Sequence, residues 1–375
     1  MTASFEDLET PVPLVDLDVM ERNLDRMARY ASGHGIELRP HIKTHKSPRV
    51  AAEQLRRGAV GLTCATLREA EVMSELTGDL LLAYPPVGLP KLQRLLALPA
   101  QVRTMVALDS TKAIEGLAAA ARERDREVRV LIEVDLGMHR VGVPTPEQAV
   151  ELACLVRERP PLRFAGITFY PGHIRQSEGG AEQRELLARL NADLARALSL
   201  LQREGLDAEI VSGGSTPTAL HTHEIEGVTE FRPGTYVYND RSTYAMEACG
   251  REDCAFTVLA TVVSTAVPGQ AVVDAGSKAL GREPREMSEA GFGELLDHPE
   301  VTVKAMSEEH GILDLGRTSW QPRVGDLVRI IPNHVCIVTH LNDFIYGIRG
   351  GEVETVWPVA ARGRSPAEVP VSGDR

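Results

Sequence analysis

The strongest constraint on the fold is a regular alternation of apolar runs and amphipathic segments between about residues 36 and 238. Eight short runs rich in apolar and β-branched residues alternate with longer segments of helical periodicity. Repeated strand–helix units place their strands in one parallel sheet, so eight of them predict an α/β fold with a (β/α)8 TIM-type barrel rather than an open sheet. The predicted strands are Ile36–Lys43, Val60–Cys64, Leu80–Tyr84, Val102–Leu108, Val128–Asp135, Phe164–Tyr170, Glu209–Ser212 and Thr229–Tyr236.

A second domain is predicted after about Arg251, where apolar runs follow one another without long helices and so favour a mostly antiparallel β domain. We expect a barrel over residues 10–250, a C-terminal β domain over 251–361 and a mobile tail over 362–375. The barrel would begin with a helix, Asp18–Ser32, capped by Asp18. The other predicted helices are Pro48–Arg57, Leu67–Leu76, Ser110–Glu123, Pro146–Arg157 and Ala181–Glu204. The C-terminal runs are Phe256–Val267, Ala271–Val273, Leu327–Ile331, Cys336–Thr339 and Ile345–Ile348.

Charge and composition exclude several classes of partner. The formal net charge is -12 and no long basic run is present, which argues against nucleic acid or an anionic membrane. No apolar stretch approaches the roughly 18 to 20 residues of a membrane span, and the acidic first ten residues do not form a secretory signal. The five cysteines are scattered and odd in number, as is usual for free thiols. We therefore expect a cytoplasmic protein that acts on a small molecule.

The segment Arg39–Lys46, with the sequence RPHIKTHK, places Lys43 where the first predicted strand ends. Catalytic groups of α/β proteins often occupy such positions. Two histidines and a second lysine surround Lys43, and neighbouring cations with partial burial lower a lysine's pKa and favour Schiff-base chemistry. The alternative is a basic surface loop, and the spacing alone does not choose between the two.

Two further turns follow predicted strands five and six. Gly137 and Gly142 bracket a polar turn that holds Arg140, which would either contact a bound anion or phenolate or remain a solvated cation. Tyr170 and His173 flank a Pro-Gly turn and would supply a hydrogen bond, a stacking face and a general acid or base. The alternative is an ordinary turn with a packed tyrosine.

Glycine-rich turns after predicted strands seven and eight are typical of phosphate sites. The first contains Ser212, Gly213, Gly214, Ser215 and Thr216, and the second contains Arg232, Gly234, Thr235 and Tyr236. Backbone N–H groups and hydroxyls in two adjacent loops would cradle a phosphate.

A candidate metal pair lies in the C-terminal domain at His334 and Cys336. On an extended segment, residues two apart face the same way, and imidazole with thiolate favours zinc. Two protein ligands alone would leave the site open, as in catalytic metal sites. The alternative is a buried cysteine beside a core histidine.

Taken together, four motifs resemble the D-threonine aldolase / D-serine dehydratase family, the fold-type III pyridoxal-phosphate enzymes whose barrel is similar to that of alanine racemase. The motifs are Arg-Pro-His-x-Lys-Thr-His-Lys, Gly-x-x-Arg-x-Gly, Arg-Pro-Gly-x-Tyr and Pro-Asn-His-x-Cys, and the resemblance spans roughly residues 10 to 360. It implies a homodimer and a Schiff base between Lys43 and pyridoxal phosphate. Arg140 would approach the phenolic oxygen and Tyr170 the ring.

The resemblance also assigns the remaining site residues. The turns at 213–216 and 234–235 would hold the phosphate, and Arg232 or Tyr236 would approach the pyridine nitrogen. His334 and Cys336 would bind zinc, manganese or magnesium.

The implied activity is that of a metal-dependent lyase that cleaves a D-3-hydroxy amino acid to glycine and an aldehyde, with His173 as the candidate base. A D-serine or D-threonine dehydratase, giving a 2-oxo acid and ammonia, is the alternative. The aldolases carry His-x-Asp as their metal pair, so His334-Val-Cys336 is closer to the dehydratases, while the segment after Tyr170 matches neither. A metal-free racemase on the same cofactor and a non-catalytic pyridoxal-phosphate carrier are further alternatives. The long C-terminal domain argues against the carrier.

Overall fold

The barrel strands lie close to where the sequence predicts them. The computed structural model describes residues 4–174, 180–283 and 291–363. After β1 (Val12–Asp16) come β2 (Glu37–Leu38), β3 (Leu62–Cys64), β4 (Asp79–Leu82), β5 (Arg103–Leu108), β6 (Val128–Glu133), β7 (Leu162–Thr168), β8 (Ile210–Gly213) and β9 (Glu230–Phe231). Strands β2 to β9 form one parallel sheet in the order β2-β9-β8-β7-β6-β5-β4-β3. A parallel bridge between His41 and Thr63 joins the two ends of this order. The prediction of eight parallel TIM-type strands is confirmed.

Seven helices of the barrel region surround these strands in the described part of the chain: α1 (Leu17–His34), α2 (Pro48–Arg56), α3 (Leu67–Met73), α4 (Leu89–Leu96), α5 (Thr111–Glu123), α6 (Pro146–Arg157) and α7 (Gly180–Arg203). The predicted N-cap of α1 is wrong. Asp16, not Asp18, occupies that position, and its carboxylate accepts a hydrogen bond from the Val19 N–H group. The sequence analysis missed α4, whose eight residues span little more than two turns.

The C-terminal residues form a second, mostly antiparallel sheet, as expected. Its strands are β10 (Phe256–Ser264), β11 (Gln270–Val273), β12 (Gly293–Leu295), β13 (Val303–Met306), β14 (Gly311–Asp314), β15 (Leu327–Pro332), β16 (Phe344–Arg349) and β17 (Glu352–Pro358). Strand β1 also belongs to this sheet, because it pairs antiparallel with β10 and parallel with β16. The short helices are α8 (Arg241–Ala245), α9 (Ser277–Leu280) and α10 (Val335–Leu341). The strand predicted at Cys336–Thr339 is therefore wrong, since those residues lie in α10.

Alternation along the barrel strands decides which residues reach the site. Val130 and Ile132 of β6 pack into the large cluster shared with the helices, whereas Leu131 joins a small separate cluster with Met105. Because side chains of a strand alternate between its two faces, Leu131 and Glu133 point into the barrel. The interior therefore has an apolar layer below and polar side chains at the carboxyl ends of the strands.

Three further sequence predictions concern membrane spans, the C-terminal tail and the domain boundary. Within the described ranges, no helix is both long and apolar enough to cross a membrane. The tail predicted over 362–375 lies outside the described residues from residue 364 onward. The boundary expected between residues 250 and 251 stays a prediction.

Candidate functional site

A cleft opens at the carboxyl ends of the barrel strands, where TIM-type barrels carry their active sites. Nine of the predicted site residues line it: Lys43, Arg140, Tyr170, Gly214, Ser215, Thr216, Arg232, Gly234 and Thr235. His41, Ala83, Glu133 and Pro217 complete the wall. Three cations and one carboxylate are among these lining residues, so the cleft favours an anionic ligand.

The loop that presents Lys43 is anchored on both sides. Ile42 is fully buried and its N–H group donates to the Thr63 carbonyl at 3.0 Å. Three residues after Lys43, Lys46 forms a buried ion pair with Glu69. Between them His45 is held by Gln54 at 3.2 Å. Because every neighbour of Lys43 is fixed, its amine is carried by a rigid segment rather than by a flexible surface loop.

His41 lines the cleft beside Lys43, a placement for which the sequence analysis proposed no role. Burial lowers the pKa of His41 well below its ordinary value, and the neighbouring cations Lys43 and Arg232 lower it further. The imidazole is therefore neutral at physiological pH. His41 lies two residues before Lys43, and residues two apart on an extended segment face the same way. This spacing is the sequence signal that would have placed His41 in the cleft.

In the glycine-rich turn after β8, one glycine is needed for packing and the next lines the cleft. A Cβ atom on Gly213 would collide with the ring of Phe169, so this glycine is needed for packing. Gly214 lines the cleft at a φ of +93°, in the left-handed region that favours glycine. The Ser212 hydroxyl does not face the cleft, because it donates to Glu230 at 2.6 Å.

The turn after β9 is held by Thr216, whose hydroxyl oxygen accepts from the N–H groups of Gly234 at 3.2 Å and Tyr236 at 3.3 Å. A Cβ atom on Gly234 would lie 2.9 Å from the His41 carbonyl oxygen, so only glycine allows the turn to approach the Lys43 loop. The two predicted phosphate turns are thus joined to each other and lie beside Lys43.

Arg232 and Tyr236 were equal candidates in the sequence analysis, and the structure separates them. Arg232 lines the cleft, and its guanidinium donates to the Ser212 hydroxyl and to the Phe169 carbonyl at 2.9 Å. Tyr236 is buried away from the cleft, where its hydroxyl accepts from Gln54 at 3.1 Å. Of the two side chains, only that of Arg232 reaches the cleft wall.

Tyr170 and Arg140 meet at one side of the mouth. The Arg140 guanidinium carbon lies 4.8 Å from the centre of the Tyr170 ring, a cation–π distance. Gly172 packs so closely on the same ring that a Cβ atom there would collide with it. His173 is not among the residues that line the cleft; it lies against the neighbouring turn, where a Cβ atom on Gly137 would be 2.7 Å from its Nε2 atom.

Glu133, at the end of β6, is a cleft residue for which the sequence analysis gave no role. Burial raises the pKa of its carboxyl group, while the cations Arg232 and Arg140 oppose that effect. Its position as the first carboxylate after an apolar strand was the available signal.

The predicted metal pair lies beside the Lys43 loop, although not on an extended segment. His334 is the N-cap of α10 and Cys336 lies in its first turn. The Cys336 sulfur lies 3.3 Å from the hydroxyl oxygen of Thr44, the residue after Lys43. Asp240, which the sequence analysis missed, lies 3.0 Å from His334 Nδ1. In the structure Asp240 is also the N-cap of α8.

The two candidate ligands stabilise each other's charged forms. Burial lowers the pKa of His334, but Cys336 and Asp240 outweigh burial and raise it to about 11. Burial raises the pKa of the Cys336 thiol, but His334 and Lys43 outweigh burial and lower it below its ordinary value. A divalent ion would take the place of the His334 proton, because the neutral imidazole beside a thiolate is the donor set that zinc prefers. Within the described ranges no group of three or more His, Cys, Asp or Glu side chains is arranged so that it could hold a metal ion.

The residues present also fit pyridoxal phosphate. Lys43 offers an amine, while two joined turns with hydroxyls and a left-handed glycine offer a phosphate cradle. Arg140, Tyr170 and Arg232 line the space between them.

Comparisons with known proteins agree with this arrangement. Residues 15–242 match the alanine racemase N-terminal domain, and residues 255–348 match a serine dehydratase domain. The D-threo-3-hydroxyaspartate dehydratase of Delftia sp. is 35% identical over 348 residues, which cover 88% of this chain and 91% of that protein. The 3-hydroxy-D-aspartate aldolase of Paracoccus denitrificans is 32% identical over 370 residues, covering 96% and 93% respectively.

Solved structures extend the likeness to three dimensions. A crystal structure of D-threonine aldolase from Filomicrobium marinum has a TM-score of 0.89 at 34% identity, covering 96% of this chain and 98% of that one. A cysteine-to-alanine variant of D-threo-3-hydroxyaspartate dehydratase in a metal-free form has a TM-score of 0.86 at 32% identity, covering 97% and 100%. The chain belongs to the D-threonine aldolase / D-serine dehydratase family of fold-type III pyridoxal-phosphate enzymes, with an alanine-racemase-type barrel and a serine dehydratase domain.

Proposed function

We propose that this protein is a pyridoxal-phosphate- and metal-dependent lyase that cleaves a D-3-hydroxy amino acid to glycine and an aldehyde. The observation that carries the proposal is the proximity of Lys43 to the candidate metal pair. Thr44, the next residue, has its hydroxyl 3.3 Å from the Cys336 sulfur. One substrate could therefore reach an amine-bound cofactor with its α-carbon and a metal ion with its β-hydroxyl.

The cleft residues divide the binding of the cofactor among them. Lys43 would bind it covalently, and the turns around Gly214–Thr216 and Gly234–Thr235 would hold its phosphate. Tyr170, with Arg140 over its ring, would lie against the cofactor ring, and Arg140 would contact the phenolic oxygen. Arg232 is our choice for the pyridine nitrogen because the Tyr236 hydroxyl is committed to Gln54. When bound, pyridoxal phosphate supplies an electron sink for a carbanion at the substrate's α-carbon.

His334 and Cys336 would hold a divalent ion, and zinc is favoured by the thiolate. Such an ion would act as a Lewis acid on the β-hydroxyl of the substrate. Loss of the hydroxyl proton allows the Cα–Cβ bond to break, which releases an aldehyde, and a proton added at the α-carbon completes glycine. His173 remains our candidate for the base that takes the hydroxyl proton, since the loop that carries it follows Tyr170 at the same mouth.

A dehydratase is the second candidate, and Cys336 is the observation that favours it. Lys43 would then take the α-proton while the hydroxyl leaves as water, and hydrolysis of the resulting enamine gives a 2-oxo acid and ammonia. The Delftia relative, which is a dehydratase, matches this chain at 35% identity.

We also propose a homodimer in a reducing compartment such as the cytoplasm. Large apolar side chains are exposed after β4 and β6, at Tyr84, Val87 and Val141 in loops and at Leu89 at the start of α4, and would suit a subunit interface at the barrel mouth. All five cysteines are free thiols.

The first experiment mixes the purified protein, loaded with pyridoxal phosphate, with D-threonine, with and without a chelator. Glycine and acetaldehyde, both lost on chelation, are expected for the aldolase, whereas 2-oxobutanoate and ammonia would identify the dehydratase. Chelator-insensitive formation of L-allo-threonine, the product of inversion at the α-carbon of D-threonine, would identify a racemase and overturn the proposal.

The second experiment tests the role of Lys43 itself. Lys43→Ala should abolish the visible absorbance of the bound cofactor, and Lys278→Ala serves as the control because Lys278 is an exposed lysine paired with Glu309. Unchanged absorbance in Lys43→Ala would refute pyridoxal-phosphate binding at this site.

A further inference from the structure

Charged side chains continue inside the barrel below the cleft. Ser212 accepts from the Arg232 guanidinium and donates to Glu230 at 2.6 Å. The other carboxylate oxygen of Glu230 accepts from Nε of Arg39 at 2.8 Å. Arg39 then donates to Asp79. The result is a continuous chain of hydrogen bonds, here called the interior chain, that runs Arg232–Ser212–Glu230–Arg39–Asp79.

The members of the interior chain are almost completely removed from water. Glu230 is 1% exposed and Arg39 is 3% exposed. The fold makes room for the second of these, because any side chain at Gly61 would collide with the Arg39 guanidinium. At its upper end Arg232 lines the cleft, and at its lower end Asp79 accepts from the exposed Arg103 at 2.9 Å.

Such an interior is a poor choice for stability alone. TIM-type barrels are usually filled with branched apolar side chains, and buried ion pairs are often no more stabilising than apolar residues of the same volume. The apolar cluster of Leu81, Met105, Leu131 and Ala165 fills the neighbouring part of the same barrel. The charges therefore require another explanation, and the interior chain ends at a guanidinium that lines the cleft.

We infer that Glu230, held by Arg39, is a positioning residue that fixes the Arg232 guanidinium through Ser212 at the floor of the cofactor cleft. This inference rests on the proposed binding of pyridoxal phosphate. Arg232 has two contacts that orient it: the Ser212 hydroxyl and the Phe169 carbonyl. The second is neutral and belongs to the backbone. Glu230 is therefore the nearest carboxylate in the interior chain that balances the charge of Arg232 while polarising the hydroxyl between them.

Arg39 explains why Glu230 can perform this role. The Glu230 carboxylate is buried, and Nε of Arg39 donates directly to the oxygen that Ser212 does not use, so the buried group has a partner of opposite charge. Both carboxylate oxygens of Glu230 are thus hydrogen-bonded in a defined plane. Asp79 in turn fixes the far side of the Arg39 guanidinium, and two ion pairs with the Ser212 hydroxyl beyond them separate it from Arg232.

The test is a double-mutant cycle on Ser212→Ala, Glu230→Gln and Arg232→Lys, in the full chain titrated with pyridoxal phosphate. Asp79→Asn is the matched control, because it removes a buried carboxylate from the same interior chain without touching Ser212 or Arg232. The readouts are the cofactor dissociation constant, the pH midpoint of the bound cofactor's visible absorbance, and the melting temperature of the cofactor-free protein.

We expect Ser212→Ala and Glu230→Gln each to weaken cofactor binding by about tenfold, the size of one lost hydrogen bond to a charged group, and to shift the pH midpoint. In the Arg232→Lys background neither substitution should have a further effect, since the group they orient is gone. Asp79→Asn should lower the melting temperature with a smaller change in the pH midpoint.

Additive effects in the cycle, or melting temperatures that fall while affinity and pH midpoint stay unchanged, would overturn the inference and leave the interior chain a structural feature. Ser212→Ala removes no charge, so it decides the question even if Glu230→Gln does not fold. If wild-type protein binds no cofactor, or if Lys43→Ala binds it with unchanged absorbance, the proposed function fails instead.

Discussion

His334 Nδ1 lies 3.0 Å from Oδ2 of Asp240, a carboxylate whose side chain is completely buried. The same oxygen accepts from the Val335 N–H group at 3.0 Å, and Oδ1 accepts from the backbone and hydroxyl of Thr243. Asp240 therefore ties the segment after the last barrel strand to the start of α10. It also occupies Nδ1 of His334, which leaves Nε2 as the nitrogen for a metal ion.

Asp240→Asn is expected to weaken metal binding by about 10- to 100-fold, the usual effect of removing the partner of a metal-bound histidine. The amide cannot accept at both ends, so it loses either the His334 or the Thr243 contacts. Metal titration followed by calorimetry measures the effect. Asp16→Asn is the control, because Asp16 is also a helix-capping aspartate, and among the described residues its carboxylate accepts from Val19 in α1 and contacts no candidate ligand. Equal metal affinity in the two variants would contradict the assignment of His334 as a ligand.

Cys336 is expected to set the choice of metal. Cys336→Asp replaces a soft thiolate with a hard carboxylate, so the preference for zinc over manganese should fall by at least about tenfold. Cys336→Ser is the matched control, since its neutral hydroxyl should weaken zinc binding without favouring manganese. Competitive titration of the two metals gives the ratio directly. A zinc preference that is unchanged in Cys336→Asp would mean that the sulfur is not a ligand.

The barrel could be predicted from sequence because each strand–helix unit carries its own periodicity. Helix α6 was predicted with its observed ends, Pro146 and Arg157, where a threonine cap and a first-turn proline mark the beginning. Strand β1 was missed for the opposite reason. Its five residues pair with β10 and β16, both more than 240 residues later, and nothing local indicates those pairings.

Site residues could be predicted where a reactive side chain lies at the end of a predicted strand. They could not be predicted where their role depends on a partner far away in the sequence. Lys43 is a lysine at the end of a strand and is found where expected. Asp240 reads locally as a helix cap, and only the fold brings α10 to it. Tyr236, one of two candidates that the sequence left open, has its hydroxyl bonded to Gln54 on α2, a contact that only the fold reveals.

Gly214→Ala should damage the cofactor site more than a comparable substitution elsewhere. Its φ is +93°, and a Cβ atom would lie 2.9 Å from Phe231 Cβ, so we expect a cost of about 1 to 3 kcal/mol and weaker binding of pyridoxal phosphate. Gly205→Ala is the control, since Gly205 has a φ of +67° but nothing within 4 Å of the added atom. Cofactor titration and urea unfolding separate the two effects. Equal cofactor affinity in both variants would show that Gly214 does not help to hold the phosphate.

His45 should make the fold less stable in weak acid. Burial lowers its pKa to about 3, although its bonds to Gln54 and Ser47 oppose that effect. Between that value and its ordinary pKa near 6.5, the unfolded chain binds a proton that the folded chain does not. The free energy of unfolding should therefore rise with pH across this window, by up to about 1.4 kcal/mol per pH unit from this group.

Urea unfolding of wild type and His45→Asn between pH 4.5 and 6.5 tests this contribution. The asparagine can still accept from the Ser47 N–H group, so the variant should be less stable but should have a shallower dependence on pH. Some dependence should persist, because burial lowers the pKa of His41 in the same direction. His310→Asn, at an exposed position, is the control and should keep the wild-type slope. A slope in His45→Asn equal to that of wild type would show that His45 is not the neutral, buried group described above.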